Sequence, residues 1–228
     1  MLSKKYASQG TAVATFDYTD IASGTGYSIF YGANAADGTI SGSYILSDNV
    51  FYSNKITTFA EITGGVKVKA IGMDFDVSFN MPRIIKGDMI ISVPVGVGRK
   101  GEETGGTLTC NISGSVILYD GTNETTLASF RSTDFAADDT VGANNYKVLS
   151  TKVPITQQHF KGGEILRVSI EGWGSISTGV TRYVAIGHDP KNVNDPELNL
   201  AGRCIYNSIT SAFGPTTMEV HVPFKIDL

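Results

Sequence analysis

KVLSTKVPITQQHFKGGEILRVSIEGWG, residues 147–174, is the stretch that decides the fold of this 228-residue chain. Apolar residues alternate with polar ones in both of its halves, at Leu149, Val153, Ile155, Leu166, Val168 and Ile170. A period of two is typical of strands with one buried and one solvated side. Because only a short polar break ending in Lys-Gly-Gly-Glu separates the two runs, we expect them to form an antiparallel pair.

The same order of a Lys-Gly-acid turn and an apolar strand occurs at 83–95, which reads RIIKGDMIISVPV. Further strands are predicted at 11–17, 27–32, 43–51, 54–62, 66–79, 82–97, 107–120, 125–130, 178–187, 203–212 and 217–226. The sequence has no amphipathic run of helical period, and turn residues separate the strands at short intervals. The pattern therefore predicts an all-β fold, an antiparallel β-sandwich of jelly-roll type with about ten strands in its main domain.

Several positions within these strands predict local irregularities. Gly72 interrupts a long strand and predicts a bulge or bend, and the Asp-Gly pair at 120–121 predicts the turn of a hairpin. Pro94, Pro154 and Pro223 each follow a valine inside a strand. Because proline cannot donate to the hydrogen-bond ladder, each should lie at a sheet edge or a bulge.

Two parts of the chain differ in composition. Residues 1–42 are rich in Ala, Gly, Ser and Thr and predict an extended N-terminal arm or edge strands, whereas 43–228 predicts the jelly-roll domain. The arm carries aromatic residues, among them Tyr6, Phe16 and Tyr18, which need a surface to lie on. That surface belongs either to the same domain or to a neighbouring subunit, and the sequence leaves both open. These three residues are candidate interaction residues.

Composition excludes several classes of partner. The net charge of −4 and the pI near 5.3 argue against nucleic acid, because phosphate binding requires a clustered basic surface. The N-terminus does not resemble a signal peptide, and the longest apolar stretch, 89–97, is too short to span a bilayer. Cys110 and Cys204 are predicted to be two buried thiols in a chain made in a cytoplasm without export, with a single disulfide between them as the alternative.

The sequence contains no GxSxG elbow, P-loop, HExxH motif or Rossmann fingerprint. It therefore predicts no catalytic residue, cofactor or metal, and no enzyme. His159, His188 and His221 are not spaced as a metal pair. We expect no base at His188-Asp189, because neighbouring residues of an extended chain point apart, and we expect 189–197 to be a solvated loop without a calcium site.

Trp173, the single tryptophan, ends a predicted strand. It either lines a groove where a sugar ring could stack or packs at the rim of the core. We include it with the candidate interaction residues.

The run 153–171, with the hairpin 117–129 before it and the Ile-Gly-His-Asp-Pro loop 186–190 after it, resembles jelly-roll virion proteins of tailed bacteriophages, of the head decoration, minor capsid or fibre-associated type. The order of elements, in which a strand and a turn are followed by Lys-Gly-acid and a second strand, is also similar to trimeric jelly rolls of the tumour-necrosis-factor-like kind. The resemblance covers roughly 107–190.

This resemblance implies a function, a location and partners. It implies a non-enzymatic capsid decoration or minor capsid protein that binds the capsid lattice and stabilises the virion after assembly in the host cytoplasm. Its partners would be further copies of itself, with a trimer favoured, and the major capsid protein or other virion subunits. The alternative is the receptor- or glycan-binding head of a phage fibre or adhesin.

Overall fold

The computed structural model describes residues 25–35, 44–51, 53, 57–99, 105–137, 146–177, 179–191, 206–207, 212–213 and 216–225. These ranges contain strands and connections but no helix, which confirms the predicted all-β class. The strands are β1 (Thr25–Asn34), β2 (Tyr44–Ser47), β3 (Thr57–Ile62), β4 (Val68–Ser78), β5 (Arg83–Arg99), β6 (Leu108–Tyr119), β7 (Glu124–Arg131), β8 (Phe135–Ala137), β9 (Tyr146–Phe160), β10 (Ile165–Ile176), β11 (Arg182–Gly187), β12 (Tyr206–Asn207), β13 (Ala212–Phe213) and β14 (Met218–Lys225).

Twelve of these strands form one mixed sheet. Its order is β3-β11-β5-β14-β1-β2-β4-β10-β6-β7, with β9 paired to β5 and β8 paired to β6, while β12 and β13 form a separate ribbon. Every pair in the described residues is antiparallel except β2 with β4, which run parallel. The arrangement is therefore a single mixed sheet, and the finer jelly-roll assignment stays a prediction.

Alternation of side chains gives this sheet an inner and an outer surface. In β10 Leu166, Val168 and Ile170 are fully buried, while Arg167 and Ser169 between them are partly exposed. Buried apolar residues from β1, β4, β5, β6, β9, β10, β11 and β14 form one continuous core cluster. The inner surface thus encloses one core, and the outer surface is left for solvent or partners.

The predicted pairing between the two halves of 147–174 is wrong, although both strands exist. β9 pairs with β5, and β10 lies between β4 and β6. The turn between them binds the end of β4 instead, because Gly163 N donates to Phe79 O (2.8 Å) and Phe79 N donates to Glu164 O (3.2 Å). The Phe160 ring, at the end of β9, also packs edge-on against the Phe79 ring, with the ring centroids 5.3 Å apart.

Other local predictions are confirmed. β6 and β7 form the predicted hairpin, in which Gly121 has a φ of 96°. The Asp120 carboxylate accepts hydrogen bonds from the backbone N–H groups of Asn123 (2.7 Å) and Thr122 (2.8 Å), which lower its pKa. The register between β10 and β4 shifts at Gly172 and leaves an extra residue two positions before Gly72, close to the predicted bulge.

Each of the three prolines that follow a valine lies where its missing backbone N–H is not needed by a neighbouring strand. Pro154 lies in β9, whose one partner strand among the described residues is β5. Pro223 lies within the register shift between β14 and β5. Pro94 lies where the partner on one side of β5 changes from β14 to β11. The first two are the predicted edge and bulge, and the third is a gap between partners.

The N-terminal prediction is tested in part. The predicted strand 27–32 lies within β1, which pairs with β14 on one side and with β2 on the other. Tyr6, Phe16 and Tyr18 lie outside the described residues, so the arm and the division of the chain at residue 42 stay predictions. In the described ranges, no helix is long and apolar enough to cross a membrane.

Candidate functional site

The outer surface of the sheet carries two chemically different faces. We name the outward side chains of β4, β6, β7 and β10 the charged face, which includes Lys69, Asp76, Ser115, Arg167, Glu171 and Trp173. We name the outward side chains of β1, β14 and β5 the apolar face, which includes Tyr27, Ile29, Tyr31, Ile90 and His221.

Arg167 organises one end of the charged face. Its Nε and Nη2 donate to the two carboxylate oxygens of Asp76 at 2.8 and 2.7 Å, and its Nη1 donates to Glu124. Its guanidinium carbon lies 4.6 Å from the ring centroid of Tyr119. The hydrogen bonds to Asp76 raise the pKa of Arg167 above its already high ordinary value. All three guanidinium nitrogens of Arg167 therefore donate to carboxylates of the same chain rather than to a ligand.

Trp173 lies at the other end of the charged face. Its indole N–H donates to the Glu171 carboxylate at 3.0 Å, and Lys69 and Ser113 donate to the same carboxylate. These hydrogen bonds lower the pKa of Glu171, and the bond from Lys69 has the largest effect. Trp173 is directly opposite Asn111, a buried residue whose Oδ1 has no hydrogen-bond partner within the described part of the chain. The tryptophan is thus held within a polar cluster.

The apolar face is centred on one row of three residues. Cross-strand register places His221 between Ile29 and Ile90. Ile29 is 37% exposed and Ile90 is 38% exposed, although both lie in strands paired on each side. Tyr27 and Tyr31 extend the face along β1, two residues to either side of Ile29. The centre of this sheet therefore presents branched and aromatic side chains to solvent.

Several polar groups on and beside the apolar face contact one another. His221 Nε2 lies 3.0 Å from the Glu219 carboxylate. Lys152 Nζ lies 2.7 Å from Asp88, and this bond raises the pKa of Lys152. The Tyr27 hydroxyl donates to the backbone carbonyl of Asp88 at 3.0 Å. Because acids and bases occur together, the face has no strong charge of one sign.

A third feature is a hydrogen-bonded chain of polar side chains, Tyr44 in β2, Thr58 in β3 and His188 directly after β11. We name it the hydroxyl–imidazole chain. Thr58 Oγ1 lies 3.0 Å from His188 Nε2 and 3.0 Å from the Tyr44 hydroxyl oxygen. The imidazole is fully buried, and its ring lies 5.3 Å from the Tyr44 ring and 6.3 Å from the Phe75 ring.

The prediction that 189–197 is a solvated loop is wrong at its start. Asp189 is 1% exposed, and its carboxylate accepts a hydrogen bond from Ser53 N at 3.0 Å. His188 and Asp189 do point to different partners, as expected of neighbours on an extended chain. No local motif marks the hydroxyl–imidazole chain, because its residues are separated by 14 and 130 positions in the sequence.

Cys110 is a free, buried thiol, as predicted for that residue. Burial raises its pKa to about 12, so the thiol is unsuited to nucleophilic chemistry at neutral pH. Cys204 lies outside the described residues. Within those residues, no group of three or more His, Cys, Asp and Glu side chains is arranged to hold a metal ion.

Neither protein-family models nor curated proteins match the chain. Among solved structures, a CocE/NonD family hydrolase from Staphylococcus aureus matches at 11% identity with a TM-score of 0.48, over 88% of this chain and 36% of the hydrolase. An α-amino acid ester hydrolase matches at 9% identity with a TM-score of 0.46, over 86% of this chain and 36% of its own. The chain therefore spans little more than a third of these proteins.

A viral capsid protein also matches, but less well. The VP2 subviral particle of infectious bursal disease virus has 15% identity and a TM-score of 0.30, over 85% of this chain and 46% of VP2. Of the predicted resemblance to phage virion proteins, only this weak structural similarity to a viral capsid protein is found.

The predicted function is corrected by this comparison. A non-enzymatic virion structural protein, with the fibre or adhesin head as its alternative, was expected. The matches with the larger TM-scores are hydrolases rather than the capsid protein, which contradicts the predicted virion function and the prediction that the chain is not an enzyme. Similarity at this level carries neither an activity nor a substrate over to this chain.

Proposed function

We propose that this chain is a protein-binding β-domain that associates with a second copy of itself through the apolar face. The observation that carries the proposal is the row of Ile29, His221 and Ile90, in which both isoleucines are more than a third exposed. The strands of the charged face bear paired ions and serines at equivalent outward positions. An outward surface that faces water alone is expected to resemble the charged face, because antiparallel sheets place polar residues on a solvated side.

A second copy suits this face because the Asp88 carboxylate beside it is already paired with a lysine. A two-fold axis brings each surface patch against itself, so an unpaired charge of one sign would oppose its own copy. Here Asp88 is paired with Lys152, and the Glu219 carboxylate lies 3.0 Å from His221 Nε2. Apposition of two such faces buries Ile29 and Ile90, and each square ångström of apolar surface removed from water contributes about 25 cal/mol before association costs.

The test is the oligomeric state of an Ile29→Asp, Ile90→Asp double variant, measured by sedimentation velocity over a wide range of protein concentration. The wild-type chain should associate as concentration rises, and the variant should stay monomeric because association would bury two carboxylates. The control is Thr125→Asp, Ser129→Asp, which adds the same charge to exposed positions of β7. A monomeric wild type, or equal loss of association in both variants, would contradict the proposal.

A further inference from the structure

The hydroxyl–imidazole chain has the geometry of an activated nucleophile, and we propose that Thr58 accepts an acyl group from activated esters with His188 as its general base. This inference is independent of self-association, since it rests on other residues. A hydroxyl within hydrogen-bond reach of an imidazole nitrogen is the arrangement that makes an otherwise weak oxygen nucleophile reactive. The distance of 3.0 Å between Thr58 Oγ1 and His188 Nε2 meets that requirement.

The polarity of the chain follows from the partners of Thr58. When the Thr58 hydroxyl donates to His188 Nε2, its oxygen can accept the hydrogen of the Tyr44 hydroxyl, 3.0 Å away. Each hydroxyl then has a role: Thr58 passes its proton to the base, and Tyr44 orients the Thr58 hydroxyl toward His188 by occupying the other side of its oxygen.

Burial places the base and the nucleophile in different environments. His188 is 0% exposed and is held by ring contacts with Tyr44 and Phe75, so its imidazole has a fixed orientation. Thr58 and Tyr44 are partly exposed. The base is therefore more shielded from water than the nucleophile, and this shielding strengthens the hydrogen bond between them.

The step balances with an ester as the one co-reactant. Thr58 Oγ1 forms a bond to the ester carbonyl carbon as its proton moves to His188 Nε2. The bond between that carbon and the leaving oxygen then breaks, and the leaving group takes the proton from His188. The product is an acyl ester of Thr58 and a free alcohol or phenol.

The test uses p-nitrophenyl acetate with the whole chain, followed by intact mass and peptide mapping. We expect one acetyl group at Thr58 in the wild type and none at that position in Thr58→Val, which keeps the side-chain shape. His188→Gln should slow acetylation of Thr58 by roughly 100-fold, the usual contribution of a general base. Thr156→Val, at an exposed position of β9, is the matched control and should leave acetylation of Thr58 unchanged.

Two results would overturn the inference. One is acetylation confined to lysines, with Thr58 unmodified in a wild-type chain of native circular dichroism. The other is acetylation of Thr58 at the wild-type rate in a folded His188→Gln or Tyr44→Phe variant. The tyrosine variant keeps the inference testable if removal of the buried imidazole prevents folding, because loss of Tyr44 removes only one half-buried hydroxyl and should lower the rate severalfold.

Discussion

Arg167 illustrates how partial burial decides the value of an ion pair. Its side chain is 18% exposed and that of Asp76 is 30% exposed, whereas the Lys152 and Asp88 side chains are 69% and 41% exposed. Arg167→Met should lower the free energy of unfolding by about 1–2 kcal/mol, because it leaves Asp76 half-buried without its bidentate partner. Lys152→Met should cause no measurable change. Urea unfolding of both variants checks this, and equal effects would contradict it.

Glu171 provides a pH-dependent contribution at the same scale. Its folded-state pKa is lowered by hydrogen bonds from Lys69, Trp173 and Ser113. Stability from a lowered pKa is fully present above the ordinary value of 4.5 and is lost as the pH falls through the folded value. The stability difference between wild type and Glu171→Gln should therefore be largest near neutral pH and shrink below about pH 4.5. Thermal unfolding across this range measures it, and a constant difference would contradict the prediction.

At the scale of elements, close strand contacts depend on single glycines. A Cβ atom at Gly114 in β6 would lie 1.9 Å from the backbone oxygen of Ser169 and 2.9 Å from the Phe130 ring. Because β6 is held between β10 and β7, neither strand can retreat, and Gly114→Ala should cost about 3 kcal/mol. Gly64→Ala, where no atom lies within 4 Å of the added carbon, is the control and should be nearly neutral. Similar melting temperatures of the two variants would disprove the packing argument.

Alternation in the sequence predicts which strands exist but not which strands pair. The pattern in β9 and β10 reports that each strand has a buried side, and both have one. It contains no information on the partner. The sequence predicts that β9 and β10 pair with each other, whereas β9 pairs with β5 in the sheet. Proline and glycine positions were predicted better, because a missing donor or a positive φ restricts the backbone locally.

The candidate sites could not be predicted for the same reason. Ile29, Ile90 and His221 share a row only through the register of three strands that are far apart in the chain. Thr58 and His188 meet only because β3 pairs with β11 and His188 is the first residue after β11. Each residue alone fits an ordinary strand or loop position. Residues that are brought together only by strand pairing have no fixed spacing in the sequence, so no sequence motif detects them.

At the scale of the whole molecule, one continuous core joins strands that are distant along the sheet. β14 and β10 both contribute to this core, although they lie several strands apart in the sheet order. If the core is one cooperative unit, a cavity in β14 must destabilise β10 by the same amount. Trp173, the single tryptophan of the chain, reports fluorescence from β10 alone.

Val220→Ala tests whether β14 and β10 unfold as one cooperative unit. Val220 is fully buried in β14, and removal of two methyl groups should lower the free energy of unfolding by about 2 kcal/mol. The urea midpoint of Trp173 fluorescence should fall together with that of far-ultraviolet circular dichroism, which averages over all strands. Val50→Ala, at a position 46% exposed, should shift neither midpoint. A circular dichroism midpoint that falls while the Trp173 midpoint stays in place would mean that β14 and β10 unfold as separate units, and the single core would not hold the sheet together.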